Sequence, residues 1–142
     1  MIKLLSAALF LATSIYTVPY TQSNGATGTF AAFEGKKILI VNIATGSDKV
    51  SQIGQLQNLY QQYQDSLVVI AFPSNSFGNE PKTNTEIRET CETVFNTSYI
   101  IAQKGDVTGA NMIPVYQWLS SQAANGVMNA VIKGDFQKCL ID

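Results

Sequence analysis

A near-continuous apolar run over residues 38–44 constrains the fold of this chain more than any other stretch. It reads Ile-Leu-Ile-Val-Asn-Ile-Ala, with Asn42 as its only polar residue. Such a run is typical of a β-strand that is covered on both faces, as in the sheets of α/β proteins. The run leads into a polar turn at 45–49. Ligands in parallel sheets tend to lie beyond the carboxyl ends of the strands, so this turn and the loop after Phe72 form the expected functional region.

The rest of the chain alternates between helical and extended patterns. Apolar residues recur at three- and four-residue spacing from Val50 to Tyr63, which predicts an amphipathic helix. Further predicted elements are a strand over 67–72 stopped by Pro73, a loop over 73–82, a helix from a capping box at Thr83 and Glu86 to about Phe95, a strand over 99–102, a helix over 113–119 and a last strand over 136–141. This order predicts an α/β fold whose parallel-rich sheet carries helices on both faces.

The N-terminal residues have the pattern of an export signal. Lys3 precedes nine mostly apolar residues, and Ala12-Thr13-Ser14 fits a small-x-small cleavage site. The run is too short to cross a bilayer as a helix. We therefore expect a signal peptide over 1–14, a polar linker over 15–29 and one domain over 30–142, exported to the periplasm or secreted, with no membrane association in the mature form. The alternative is that the apolar run forms a buried helix or strand.

Composition excludes several kinds of site. The chain has no histidine, which removes Ser-His-Asp and Cys-His catalysis and HExxH zinc sites. Its two cysteines, Cys91 and Cys139, lack metal-site spacing and are too few for a disulfide framework; they pair with each other or stay free. The net charge of -1 gives no electrostatic reason to expect nucleic acid as a partner. We expect no cofactor and no metal.

Several segments resemble the glutathione peroxidase family in order and spacing. They are residues 35–44, the helix positions within 52–63, residues 72–81, residues 83–91, residues 114–119, residues 125–128 and residues 136–142. The resemblance covers about Phe33 to Asp142 and implies a thioredoxin-like fold, with a central mixed, mostly parallel sheet flanked by helices. It also implies that most of the N-terminal hairpin and the family's last strand and helix are missing. The sheet edge left bare predicts self-association or low stability.

The resemblance also locates the chemistry. The family reduces hydroperoxides, with glutathione or thioredoxin as reductant, through a cysteine or selenocysteine surrounded by a glutamine, a tryptophan and an asparagine. Carried over by position, these four become Ser47, Ser76, Gly134 and Asp135. An alternative register places Asn129 at the asparagine, but the following Phe-Gln-Lys favours Asp135. A serine hydroxyl ionises far above the thiol value of about 8.5 and cannot form a sulfenic acid.

The chain is therefore interpreted as a family member whose redox site is degenerate. Cys91 falls at the position of a resolving cysteine, although a small apolar residue on the inner face of a helix fits the pattern as well. Cys139 fits a buried position in the last strand. Two alternatives are a residual thiol enzyme or redox sensor that uses Cys91 or Cys139, and a non-catalytic binding module that uses the loops around Ser47 and Asn75. Ser47 itself is expected to cap the following helix, with Asp48 in its first turn.

Overall fold

The computed structural model describes residues 11–142, so the predicted signal peptide lies largely outside the described residues. The elements, in chain order, are β1 (Pro19–Thr21), β2 (Thr27–Thr29), β3 (Lys37–Ile43), α1 (Gln52–Tyr63), β4 (Leu67–Pro73), α2 (Asn84–Val94), β5 (Ile100–Ile101), α3 (Pro114–Leu119), α4 (Gln122–Asn125) and β6 (Lys138–Ile141). Two short 3₁₀ helices lie at Ile15–Thr17 and Phe30–Phe33. Each predicted helix and strand is present, with bounds within about two residues of the expected ones.

The central sheet has four strands in the order β5-β4-β3-β6. Strands β3 and β4 run parallel over their whole length, from Lys37 opposite Leu67 to Ile43 opposite Pro73. Strand β5 is parallel to β4, whereas β6 is antiparallel to β3. The expected mixed, mostly parallel sheet is therefore confirmed. Because β3 and β4 end side by side, the turn after β3 and the loop after β4 meet at one edge of the sheet.

Both faces of β3 are covered, which explains its near-continuous apolar sequence. Ile38 and Ile40 pack into a cluster with residues of β4 and α3. Leu39, Val41 and Ile43 point to the other face, into a cluster with residues of α1 and α2. Burial of one such side chain stabilises the fold by roughly 1.5–3 kcal/mol, so β3 contributes substantially to the stability of the core.

Residues 15–29 are part of the folded domain, and the predicted linker is corrected accordingly. Ile15 and Val18 are buried in the core. Strands β1 and β2 form an antiparallel hairpin, and Tyr20 packs edge to face against Phe30 with ring centroids 5.3 Å apart. The expectation that an N-terminal hairpin is largely absent is therefore also wrong. The Thr, Ser and Gly residues of this segment are typical of loops and of short edge hairpins alike, so composition does not separate the two.

The end of the predicted signal peptide also contacts the domain. The Thr13 N–H donates to the Ala124 carbonyl at 2.7 Å, and the Trp118 indole N–H donates to the Thr13 carbonyl at 2.8 Å. Among residues 11–142, no helix is long and apolar enough to cross a membrane. Export remains a prediction from the sequence pattern.

Candidate functional site

The turn after β3 is fixed against the loop after β4 by three hydrogen bonds. The fully buried Glu80 carboxylate accepts from the Thr45 N–H at 2.6 Å and from the Thr45 hydroxyl at 2.8 Å. The Gly46 N–H donates to the Asn79 carbonyl at 3.0 Å. A Cβ atom at Gly46 would lie 2.6 Å from that carbonyl oxygen, so this close approach requires glycine. The turn is therefore held rigidly by its neighbours.

Ser47 lies in this turn with only 6% of its surface exposed. Its hydroxyl oxygen accepts from the Lys49 N–H at 3.2 Å, and the hydroxyl donates to the Asp48 carboxylate at 3.4 Å. Helix α1 begins only at Gln52, with Ser51 at the N-cap position, and no acidic residue lies in its first turn. The predicted roles of Ser47 as helix cap and of Asp48 in the first turn are wrong, because an additional turn separates both residues from the helix.

Asn42, next to the last residue of β3, fixes the segment that contains Gly134 and Asp135. Its side-chain amide donates to the Gly134 carbonyl at 2.9 Å, and its backbone carbonyl accepts from the Phe136 N–H at 2.7 Å. Phe136 is buried and has a φ of 63°, a left-handed conformation that bulky residues rarely adopt. These contacts place Asp135 beside the loop after β4.

Asp135 is a buried carboxylate connected to the Ser47 turn through a single residue. One of its oxygens accepts from the Asn79 side-chain amide at 2.7 Å, and the carbonyl of the same Asn79 accepts from Gly46. Within the described residues, the other oxygen of Asp135 and the side-chain oxygen of Asn42 are buried without a hydrogen-bond partner. A negative charge placed here opposes the formation of any anion in the adjacent turn.

Ser76 lies in the same loop, but its hydroxyl is used to shape that loop. Its oxygen accepts from the Val107 N–H at 3.1 Å and from the Ser74 hydroxyl at 2.9 Å. The Ser74 N–H in turn donates to the Ile43 carbonyl at 3.0 Å, at the end of β3. The structure therefore brings four predicted site residues together at the carboxyl ends of β3 and β4: Ser47, Ser76, Gly134 and Asp135.

Cys91 does not belong to this group of residues. It is fully buried on the inner face of α2, in the cluster that contains Ile87 and Val41. Burial raises the pKa of its thiol to about 12, and the nearby negative charge of Glu80 acts in the same direction. The thiol is protonated at neutral pH and is a poor nucleophile, since the thiolate is the reactive form.

Cys139 lies on the opposite face of the sheet. It is half-buried in β6, opposite Ile40, and packs against the cluster that contains Tyr116. Burial raises the pKa of its thiol as well. Both cysteines are free. Because the sheet separates them, an intrachain disulfide between Cys91 and Cys139 is excluded.

Comparison with known proteins decides the family. A family model described as glutathione peroxidase matches residues 15–120 of this chain. This chain belongs to the glutathione peroxidase family. The match begins at Ile15, which agrees with the assignment of β1 and β2 to the domain. The family resemblance predicted from the sequence is confirmed, and with it membership in a family of thiol-dependent peroxidases.

Curated relatives of this glutathione peroxidase family member share about a third of its residues. Glutathione peroxidase-like peroxiredoxin 2 of Saccharomyces cerevisiae is 36% identical over 134 residues, which cover 93% of this chain and 83% of that protein. Glutathione peroxidase homolog BsaA of Bacillus subtilis is 36% identical over 131 residues, covering 91% of this chain and 82% of that protein.

Solved structures confirm the thioredoxin-like fold. The crystal structure of Trgpx in its apo form superposes with a TM-score of 0.68 at 26% identity, covering 92% of this chain and 79% of that one. A thiol:disulfide interchange protein of the thioredoxin family from Chlorobium tepidum gives a TM-score of 0.59 at 14% identity, covering 93% and 81%. The second likeness concerns the fold alone.

Three residues that position the site of this glutathione peroxidase family member were not predicted from the sequence to have that role. Asn42 offered a signal, because a polar residue inside a doubly covered strand requires a hydrogen-bond partner. Asn79 and Glu80 offered none, since their partners Gly46 and Thr45 lie more than thirty positions earlier in the chain. Within residues 11–142, no group of three or more His, Cys, Asp or Glu side chains could hold a metal ion.

Proposed function

We propose that this chain is an exported glutathione peroxidase family protein whose capacity to reduce hydroperoxides is absent or very low. This conclusion rests on the location and the protonation of the two thiols. Neither Cys91 nor Cys139 lies in the turn after β3, where Ser47 stands, and burial raises the pKa of both thiols. A pKa of about 12 leaves roughly one Cys91 thiol in 10⁵ ionised at pH 7. Peroxide reduction needs a thiolate or selenolate to attack the O–O bond.

The surroundings of Ser47 support the same proposal. The Ser47 hydroxyl is engaged with the Lys49 N–H and the Asp48 carboxylate, and the chain has no histidine that could deprotonate it. The buried Asp135 carboxylate adds negative charge near the turn, where the family's chemistry requires stabilisation of an anion. Each of these features acts against catalysis at this position.

A coupled peroxidase assay on the full chain tests the proposal. Hydrogen peroxide and an organic hydroperoxide are the substrates, with glutathione and with thioredoxin as reductants. We expect no wild-type turnover above that of a Cys91→Ser, Cys139→Ser control, and little gain from Ser47→Cys alone. Wild-type turnover comparable to that of an ordinary thiol peroxidase would overturn the proposal.

A fourfold variant asks whether the scaffold still supports the chemistry. It combines Ser47→Cys, Ser76→Gln, Gly134→Trp and Asp135→Asn. A Cβ atom at Gly134 meets no other atom within 4 Å, so a side chain can begin there without a clash. Asparagine at position 135 keeps an oxygen that can accept from Asn79 and removes the charge. We expect this variant to exceed Ser47→Cys alone by at least tenfold, in line with the usual contribution of positioned groups.

A redox sensor based on Cys139 is the second candidate, favoured by one observation. Cys139 is only half-buried, whereas Cys91 is fully buried. Trapping of a sulfenic acid with dimedone after peroxide treatment tests this candidate. Labelling that disappears in Cys139→Ser would support a sensor, and an unlabelled wild-type chain would contradict it.

Export is supported by the pattern of residues 1–14 alone. Cell fractionation of a C-terminally tagged chain tests it, with Leu4→Asp, Leu5→Asp as the control that interrupts the apolar run. We expect the tagged wild type in the periplasmic or external fraction. Retention of both forms in the cytoplasm would contradict export.

A further inference from the structure

One edge of the central sheet is open. Among the described residues, β6 pairs with β3 alone, so its outer backbone N–H and C=O groups face away from the sheet. Such an edge is a template for pairing with another strand. Beside it lies a groove of about 690 Å³. Large apolar side chains at this place are exposed to solvent, at fractions of 57–74%: Val127, Met128, Val131 and Leu140.

The segment 138–142, which is β6 and the residue that follows it, is complementary to itself when two copies run antiparallel. Side chains alternate between the two faces, so Lys138, Leu140 and Asp142 share one face while Cys139 and Ile141 share the other. In a pair centred on Leu140, each Lys138 lies opposite Asp142 of the partner subunit. Each Cys139 then faces Ile141 of the partner subunit, and the two Leu140 side chains face each other. Opposite charges and apolar pairs across strands stabilise a sheet.

We propose that two copies of this chain associate through β6, antiparallel about a two-fold axis at Leu140, so that the two sheets become one. Other registers are less favourable. Centring the pair on Cys139 places Lys138 opposite Leu140 of the partner subunit, and centring it on Ile141 places Asp142 opposite Leu140 of the partner subunit. The Leu140-centred register alone pairs both charged residues with opposite charges. This inference does not depend on the chemistry of the Ser47 turn.

The charged residues at the ends of the strand remain available for this pairing. Asp142 bonds to Lys37 within the chain, but both side chains are more than half exposed, and exposed ion pairs contribute little. The Lys138 ammonium donates to Gln52 and to the Phe136 carbonyl. Burial and the neighbouring Lys49 lower the pKa of Lys138, so an arriving carboxylate would relieve an unfavourable environment.

Disulfide trapping tests the register. Directly opposed Cα atoms in antiparallel strands lie about 4.5–5.5 Å apart, within disulfide range. Leu140→Cys in a Cys139→Ala background should therefore form a covalent dimer under mild oxidation. The two native Cys139 residues would be offset by two positions, with Cα atoms roughly 8 Å apart, beyond disulfide range. The wild-type chain is thus the matched control and should stay uncross-linked. A wild-type chain that cross-links while the Leu140→Cys variant does not would overturn the register.

Analytical ultracentrifugation of the full chain tests the association itself. We expect a monomer–dimer equilibrium that Asp142→Lys and Lys138→Asp each weaken by roughly tenfold, because each puts like charges opposite one another twice per dimer. The double variant Lys138→Asp, Asp142→Lys restores opposite charges and should recover most of the affinity. Circular dichroism confirms that each variant is folded. A chain that stays monomeric would refute the proposal, and this is the result expected if residues 1–10 filled the groove in the same molecule. A dimer whose affinity does not change with these charges would refute it as well.

Discussion

Removing the Cys91 thiol should make the protein less sensitive to alkaline pH. The folded-state pKa of this thiol is about 12, whereas an unfolded thiol ionises near 8.5. A raised pKa means that the stabilisation is complete below the unfolded value and is lost as the pH rises towards the folded value. At pH 10 the unfolded chain releases the proton and the folded chain keeps it. The free energy of unfolding should fall by roughly 2 kcal/mol from this group alone between pH 7 and pH 10.

Urea unfolding followed by circular dichroism measures this difference. Cys139→Ala is the reference, so that Cys91 is the only thiol, and Cys91→Ala, Cys139→Ala is the test variant. The other titratable groups are the same in both proteins, so their contributions largely cancel in the comparison. The variant loses some stability at pH 7 from the small cavity, so the pH-dependent part is the readout. If the free energy of unfolding falls equally in the two proteins between pH 7 and pH 10, the folded thiol ionises as readily as the unfolded one. The argument that Cys91 is inert would then fail.

Two predictions concern the turn that carries Ser47. Thr45→Val should lower the free energy of unfolding by roughly 1.5–3 kcal/mol relative to Thr45→Ser, because it leaves one oxygen of the buried Glu80 carboxylate without its hydroxyl donor. Urea titrations measure this difference. Equal stability of the two variants would argue against this hydrogen bond. Gly46→Ala should lower the melting temperature through its contact with the Asn79 carbonyl, whereas Gly134→Ala, which meets open space, should leave it nearly unchanged. Similar melting temperatures for both alanine variants would contradict the close approach.

The parts of the fold that could be predicted are those with a local signal. The apolar run at 38–44 is a strand because both of its faces are covered. The spacing that begins at Val50 corresponds to α1, which buries Ile53 and Leu56, although Leu59 and Tyr63 at the same spacing are exposed. The capping box predicted at Thr83 and Glu86 is present, with the hydroxyl and the carboxylate each bonded to the other residue's backbone N–H. In each case, the pattern that predicts the element lies within a few neighbouring positions.

The parts that could not be predicted depend on contacts between distant residues. Residues 15–29 carry turn-forming residues, and contacts with distant residues make them part of the domain. Ile15, Val18 and Tyr20 pack against the core, and the Ser23 N–H donates to the Ile101 carbonyl. Ser47 was expected to cap a helix, yet the turn that contains it is positioned by Glu80 and by the loop after β4. Long-range hydrogen bonds of this kind leave no periodic trace in a sequence.

The separation of Cys91 and Cys139 by the sheet limits what oxidation can do to this molecule. A disulfide stabilises a domain mainly by closing a loop and thereby reducing the entropy of the unfolded chain. With one thiol on each face of the sheet, no such loop can close while the fold is intact. An oxidising compartment would therefore add no intrachain disulfide to the folded domain. Any disulfide that the folded chain forms must join it to another molecule, and the fold depends on its packed core and its hydrogen bonds in every redox environment.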